Sequence, residues 1–471
     1  MHVVPPPGRL LGTHALVIGA SISGLLAARI LAAHFQRVTL FDRDVLPSAV
    51  ENRKAVPQGR HGHGLLASGY RGLKRLFPDL ERELLQRGAV PGDIIGDVRW
   101  FQHGCYKAKF RSGFDGLLLS RALLETTLRA QVLQIPNVRI DDESHVLGLT
   151  EESGVVGGVQ VSRGQKPAVR VAADLVVDAG GRASRSADWL EELGYGRPAV
   201  EEVPVDIRYT SMTFRRRPRD LGGDNGAILA PKPPRERAVG FMLAMEGNRW
   251  IVSMGGWLGT RAPLDLEGFV AFARELPRPD IYEVIRDAEP LTEAVGYVFP
   301  SNLRRRYERM RRFPGRYLVM GDAMCSFNPL YGQGMSVATL EALALAEALS
   351  RASTPAAVSK PFFKAASRII DTPWTIAAGS DMAFEGVTGR RPAGTDVVNW
   401  YLNHVHRAAA TDRVVCRAFF DVANLLEPAP TLFRPSIVAR VVRACVGHDS
   451  PLTIEADRSM TTAPQAMIET R

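Results

Sequence analysis

Gly19, Ser21 and Gly24 stand in the spacing of a phosphate-binding turn, and Asp42 follows 23 residues after Gly19. Gly19 permits a tight turn out of a strand, Ser21 stands small in place of a second glycine, and Gly24 keeps the third. Backbone N–H groups at the N-terminus of the helix that follows then point outward, where a pyrophosphate can sit. The carboxylate of Asp42 is placed to accept the hydroxyls of an adenosine ribose and repels a 2′-phosphate, which favours FAD or NAD over NADP. Arg43 lies beside Asp42, and Arg53, Arg60, His61 and His63 concentrate positive or donor groups near the same turn. His61 and His63 have no clear third ligand, so they read as loop hydrogen-bonding groups, and no metal site is expected.

Two later turns have comparable chemistry. The apolar strand Leu175 to Val177 runs into Asp178-Ala179-Gly180-Gly181, and the carboxyl end of a strand is where α/β sheets place ligands. Tyr317 to Met320 is another such strand, ending in Gly321-Asp322. It is followed by Pro329, Gly332, Gln333, Gly334 and Met335, which lead into a helix rich in Ala and Leu. Backbone donors gathered at that positive helix terminus suit a group that is negative when reduced, such as the N1–C2=O edge of a flavin. Arg121, near the start of a helix that Ser120 caps, is in reach of a phosphate or ribityl group; an exposed helix arginine is the alternative.

These residues need a frame to hold them. Ala15 to Ile18 reads as a strand, Leu25 to His34 as a helix and Val38 to Phe41 as a second strand, a βαβ unit of about 30 residues. Val138 to Ile140, Val146 to Leu149, Gly154 to Val161 and Val169 to Ala172 read as a small β-meander. From Pro204 to about Pro300 the period changes to alternation, as in IRYTSMTF, GFMLAM and RWIVSMGGW, which predicts an antiparallel sheet. Met212, Phe214, Phe241, Met245, Trp250 and Trp257 on that sheet are candidates to line a substrate pocket. The expected fold is α/β: a Rossmann-like FAD-binding domain (12–95, 115–200 and 301–352) with an inserted antiparallel-sheet substrate domain (96–114 and 201–300). A helical C-terminal region (353–471) follows, and residues 1–11 form a Pro-rich lead.

The chain has 471 residues, 45% hydrophobic and 23% charged, within the range of a soluble globular protein. Its formal charge of +9 resides in runs such as 215–217 and 304–306 that lack interleaved aromatics, so no nucleic-acid partner is expected. No apolar run is long enough to span a bilayer, and MHVVPPPGRLLG does not read as a signal peptide, so the expected compartment is the cytoplasm. Cys105, Cys325, Cys416 and Cys445 are far apart and suggest neither a disulfide framework nor a zinc site.

Together the three motifs resemble the single-component FAD-dependent monooxygenases of the p-hydroxybenzoate hydroxylase type. GASISG with Asp42 is similar to that family's ADP-binding half, and GDAMCSFNPLYGQGM to its Gly-Asp motif. The resemblance implies that Asp322 binds the ribityl hydroxyls, that Gly332 to Met335 lie against the isoalloxazine edge, and that Arg121 is the helix arginine approaching FAD. Asp178-Ala179 departs from the family's Asp-Gly. RKAVPQGRHGHGLL and SRALLETTLR look closest to bacterial epoxidases of polyketide olefins, and PWTIAAGSDMAFEGVTGRRP extends the likeness further along the chain.

The implied reaction inserts one oxygen atom from O2, through a flavin C4a-hydroperoxide, into a hydrophobic natural-product substrate by epoxidation or hydroxylation. NADPH or NADH is the implied electron donor, directly or through a separate flavin reductase. The cofactor carries this chemistry, so no side-chain nucleophile or acid/base pair is required. An FAD-dependent reductase of isoprenoid double bonds is the alternative enzyme, and a flavin-binding protein without turnover the alternative class. The Trp-x-Trp-x-Ile-Pro signature of one major group of flavin halogenases is missing.

Overall fold

Five short strands make a parallel sheet in the order Tyr317–Val319, Leu175–Asp178, Gly12–Ile18, Phe35–Phe41, Val138–Asp141. Helices cover it, so the stretches 15–18 and 175–177 at its centre are apolar on both faces rather than alternating. The computed structural model describes residues 10–164, 166–389 and 394–446. Residues 1–9 of the Pro-rich lead, residues 390–393, which include the end of the GVTGRRP stretch, and the chain after 446 lie outside the described residues, as does the side chain of Cys445.

Parallel strands bring their carboxyl ends to one edge. Asp42, Asp178 and the Gly321-Asp322 turn therefore meet there although they are far apart in sequence. The helix Ile22–Leu31 leaves the first strand through Gly19, whose φ of +95° suits glycine and whose Cβ would lie 2.7 Å from the Ala179 carbonyl oxygen. At Gly24 a Cβ would lie 1.8 Å from the Gly19 carbonyl oxygen, so no side chain fits. This helix packs on the helix Gly334–Arg351 that follows the Gly-Asp turn. Val138–Asp141, expected in the meander, instead forms the edge of the parallel sheet. The meander keeps Ser144–Glu152, Val155–Arg163 and Val169–Ala172.

The second sheet has eight strands, in the order Cys325–Ser326, Val295–Arg305, Val200–Arg215, Arg249–Gly256, Ala238–Met245, Gly226–Leu229, Val98–Gln102, Cys105–Tyr106. Pairing is antiparallel apart from Gly226–Leu229 with Val98–Gln102. The edge strand Cys325–Ser326 belongs to the GDAMCSFNPLYGQGM stretch, so this sheet and the Gly-Asp turn are joined directly. Helices Leu266–Arg274 and Asp280–Ile285 pack on one face, where Phe269, Ala273 and Ile281 close a core.

That core corrects three of the pocket candidates. Met212, Phe214 and Trp250 face the two helices and are sealed among them, with Phe214 and Trp250 fully buried. Strand side chains alternate, so Tyr209, Ser211, Phe241, Leu243, Ile251, Ser253 and Met245 take the opposite face, toward the parallel sheet's domain. Trp257 lies past the strand end and stacks on Phe384 with centroids 4.2 Å apart.

Thr395–Ala408, Arg413–Ala423 and Pro435–Val446 form a helical region whose core includes Ile95 and Phe114. His406, from the HVH stretch, stacks on His103 within it. Among the described residues no helix is long and apolar enough to cross a membrane. If Phe214 is core rather than pocket, Phe214→Ala should cost about 3–5 kcal/mol in urea unfolding. The folded fraction should keep its full flavin content; normal stability with altered ligand binding would return Phe214 to the pocket.

Candidate active site

At the first turn, Ala20 N–H donates to Asp42 Oδ2 at 2.7 Å and Asp44 N–H to Asp42 Oδ1 at 2.9 Å. Oδ1, with that one partner, retains a lone pair for a ligand hydroxyl, whereas Oδ2 is also met by Arg53. Arg53 is turned inward, ion-paired to Glu125 at 2.7 Å and to Asp42 at 3.2 Å. Arg121 donates to Ser21 Oγ at 2.9 Å and pairs with Glu125 at 3.2 Å, while Ser21 Oγ donates to Glu125 at 2.8 Å. Ser21 thus ties the turn to the helix Arg121–Leu133 by a side chain, a link a glycine lacks. Burial opposes the charge on Glu125, but Arg121 and Arg53 offset it and hold its carboxyl below the usual range. Sequence reading missed Glu125; its signal was the i, i+4 run Arg121, Glu125, Arg129 on one helix. Arg43 and Arg60 are exposed.

Asp178 is a correction. Its Oδ1 accepts from Gly180 N–H at 2.7 Å, and its Oδ2 accepts from the hydroxyls of Ser184 and Ser186. The side chain is 1% exposed and consumed in shaping its own turn, leaving only the turn's backbone to face a ligand.

Gly321 has φ +66°, and a Cβ there would lie 2.6 Å from Ser23 Oγ, so this turn sits against the start of the first helix. Its N–H donates to Glu341 Oε2 at 2.6 Å, and burial pushes the Glu341 carboxyl up to about 8. Asp322 is half-buried, and among the described residues its carboxylate accepts no hydrogen bond. Burial raises its pKa, opposed by the charges of Arg121 and Arg182. Arg121 therefore acts on both the phosphate-type turn and the Gly-Asp turn. Pro329 opens the short turn Pro329–Tyr331, Gly332 follows with φ +65°, and Gly334 begins the helix 3.6 Å, measured from a built Cβ, from Asp322 Oδ1. Gln333 is buried with Oε1 unpartnered among the described residues, and Met335 packs against the first core.

This turn is clamped from behind by Asp381, which sequence reading did not single out. Asp381 Oδ1 accepts from Trp257 at 2.7 Å, Tyr331 at 2.8 Å and Asn328 at 3.0 Å, and Oδ2 from Asn302 at 2.6 Å. Burial pushes the Asp381 carboxyl up to about 6 against the pull of these four donors.

The loop after Arg60 joins this edge to the second sheet. His61 Nδ1 lies 2.7 Å from Ser211 Oγ, His63 Nδ1 lies 3.0 Å from the His61 carbonyl, and a Cβ on Gly62 would meet the Phe241 ring at 2.3 Å. A Cβ on Gly64 would lie 3.6 Å from Gly332 Cα. Burial and Arg60 push His61 down to about 4, and burial with Arg121 pushes His63 to about 3, so both rings are neutral at physiological pH. Phe241 thus stands over the loop that touches the Gly-Asp motif, unlike Met212, Phe214 and Trp250.

A glycine path too narrow for side chains, outward N–H groups at a helix start, an unpartnered carboxylate at Asp322 and an unpartnered amide oxygen at Gln333 fit an extended ligand with phosphates and hydroxyls. Fold and site together define a flavoprotein with a Rossmann-like half and a second, mostly antiparallel sheet. The chain belongs to the FAD binding domain family, whose model matches residues 12–361, and it is an FAD-dependent monooxygenase. It is 33% identical over 469 residues to protein Rv3254 of Mycobacterium tuberculosis, covering 94% of this chain and 95% of that one. It is 26% identical to kynurenine 3-monooxygenase of Salinispora arenicola over 349 residues, 71% of this chain and 72% of the relative. Among solved structures, p-nitrophenol 4-monooxygenase of Pseudomonas putida superposes with a TM-score of 0.61 at 17% identity, covering 88% of this chain and 99% of that one.

The folded chain keeps the Glu341 proton that the unfolded chain loses above 4.5, so stability falls as pH rises and levels off above about 8. Between pH 6 and 8.5 the wild-type melting temperature should fall relative to that of Glu341→Gln, which cannot titrate, the lowered histidines acting with the opposite sign but alike in both proteins. Equal slopes would assign the linkage elsewhere. Gly24→Ala should yield insoluble or FAD-free protein, since the new Cβ would overlap the Gly19 carbonyl.

Proposed function

We propose that this monooxygenase inserts one oxygen atom of O2 into a hydrophobic, natural-product-like substrate, by epoxidation of an olefin or by hydroxylation. Bound FAD would relay the electrons of the nicotinamide donor and supply the activation of oxygen. The observation that carries the substrate reading is the sheet face of Phe241, Leu243 and Ile251, which lies toward the loop His61–Gly64 that touches Gly332. Kynurenine 3-monooxygenase and p-nitrophenol 4-monooxygenase, to which the chain is similar, are named for oxygenation of small organic molecules and support the reaction class.

In this reading the chain's own residues bind, orient and exclude water. Gly19, Ser21, Gly24 and Arg121 take the pyrophosphate, Asp42 the adenosine ribose, and Asp322 the ribityl hydroxyls. Arg53 acts indirectly, holding Asp42 and Glu125 in place. Gly332 to Met335 present backbone to the isoalloxazine edge at the positive end of the helix Gly334–Arg351, where developing negative charge is stabilised. Phe241 over Gly62 leaves no gap for a side chain at that point, which keeps the loop close to the sheet. Electrons come from NADPH or NADH, directly or through a separate reductase, and the chain acts in the cytoplasm.

Reaction under 18O2 tests the proposal. A product heavier than substrate by one labelled oxygen is the expected result, whereas a gain of two hydrogens would replace oxygenation by reduction of a double bond. Substrate-stimulated NADPH or NADH oxidation by the purified chain alone would show that no separate reductase is needed. Asp322→Asn should weaken FAD retention about tenfold by loss of a charge-assisted acceptor, read by flavin release on dilution.

A further inference from the structure

Three rings on the flavin-facing side of the second sheet form a triangle. The His61 centroid lies 4.9 Å from Tyr209 and 5.3 Å from Tyr297, and the two tyrosines, paired across their strands, lie 5.3 Å apart. His61 is 4% and Tyr209 3% exposed. His61 Nε2 is buried without a hydrogen-bond partner, and neither tyrosine hydroxyl has one among the described residues. Of the three, the His61 nitrogen alone is sealed from solvent, Tyr297 being half-buried, so the cluster sets one costly unsatisfied buried nitrogen beside two hydroxyls open to a ligand.

A chain of hydrogen bonds behind His61 sets which of its nitrogens carries the proton. Gly62 N–H donates to Ser253 Oγ at 3.2 Å, Ser253 and Ser211 hydroxyls lie 2.5 Å apart, and Ser211 Oγ lies 2.7 Å from His61 Nδ1. Run outward from Gly62, every hydroxyl accepts once and donates once, and Ser211 donates to Nδ1. The reverse direction strands the Ser253 proton, for which the described residues offer no further acceptor. His61 is therefore the Nε2–H tautomer, a donor.

The three rings are themselves uncharged donors. The charges that reach them are mixed: Arg60, which is exposed, acts on His61, and Asp322 and Arg182 act on Tyr297 with opposite sign, Arg182 already giving its terminal nitrogens to the carbonyl and hydroxyl of Ser301. Burial penalises an anionic group, whereas a neutral acceptor needs no counter-ion. Apolar walls adjoin it, because Phe241 is paired with Ser253 across the strands, and Leu243 with Ile251 in the next pair on that face.

We infer that His61, Tyr209 and Tyr297 form the recognition point for an uncharged, hydrogen-bond-accepting oxygen, such as a ketone or ester carbonyl, on an otherwise apolar substrate. The inference rests on the proposed oxygenase reading of this sheet face and narrows its substrate class. These are specificity residues, and no role in oxygen transfer is assigned to them.

Titration of the FAD-loaded protein with 2-acetylnaphthalene, 2-isopropenylnaphthalene and 2-naphthoate, followed by flavin absorbance and calorimetry, tests it. The ketone should bind at least about fivefold tighter than the hydrocarbon or the anion. Tyr209→Phe and Tyr297→Phe should each reduce that preference about fivefold while leaving hydrocarbon binding unchanged. His61→Gln, which keeps an N–H donor, should retain more of the preference than His61→Phe. Nitrogen NMR of selectively labelled histidine should find the His61 proton on Nε2, a readout independent of turnover and of any variant's folding. Tightest binding of naphthoate, equal losses for ketone and hydrocarbon, no binding of the ketone, or a proton on Nδ1 would each overturn the inference. Ketone preference persisting without oxygen incorporation would instead remove the oxygenase reading and leave the recognition point standing.

Discussion

One buried carboxylate fixes how the two sheets meet. Asp381, on the long helix Ser359–Asp381, takes hydrogen bonds from Trp257 at the end of one strand, Asn302 in another, and Asn328 and Tyr331 in the turn before Gly332. Burying a carboxylate is expensive, and four donors only partly compensate, as its raised pKa shows. Every one of those donors becomes an unpaired buried group if the carboxylate is lost. The cost of separating them therefore holds the Gly-Asp turn, the sheet and the C-terminal helix in one arrangement.

The second constraint is local. The first turn accepts glycine alone at position 24, because the Gly19 carbonyl occupies the space of a Cβ. Such constraints are written in a few adjacent residues, which is why the dinucleotide turn, the Gly-Asp turn and the change from continuous to alternating apolar patterns were legible in the sequence. The parallel sheet then follows from strands too apolar to face water on either side.

What the sequence did not reveal has more than one physical cause. Met212, Phe214 and Trp250 lie on strands that carry apolar groups on both faces, so alternation alone does not say which face the helices Leu266–Arg274 and Asp280–Ile285 cover. Glu125, Glu341 and Asp381 each sit in a helix, where a single carboxylate reads as solvent-facing. Gly321, the partner that keeps Glu341 inside, lies 20 residues away, and Asn302 and Asn328 lie 79 and 53 residues from Asp381. Asp178 failed for the opposite reason: its partners, Gly180, Ser184 and Ser186, were next to it, and a nearby ligand-type turn drew attention from them.

The serine in the dinucleotide turn bears on the order of assembly. Arg121 is poised between the two ligand-facing turns, yet it already has a resident counter-ion in Glu125 and an acceptor in Ser21. A cation in a phosphate pocket ordinarily depends on its ligand for neutrality, and the pocket is then hard to build before the ligand arrives. Here the charge is satisfied from within, so the polypeptide can complete its core first and take up the cofactor afterwards as a reversible guest.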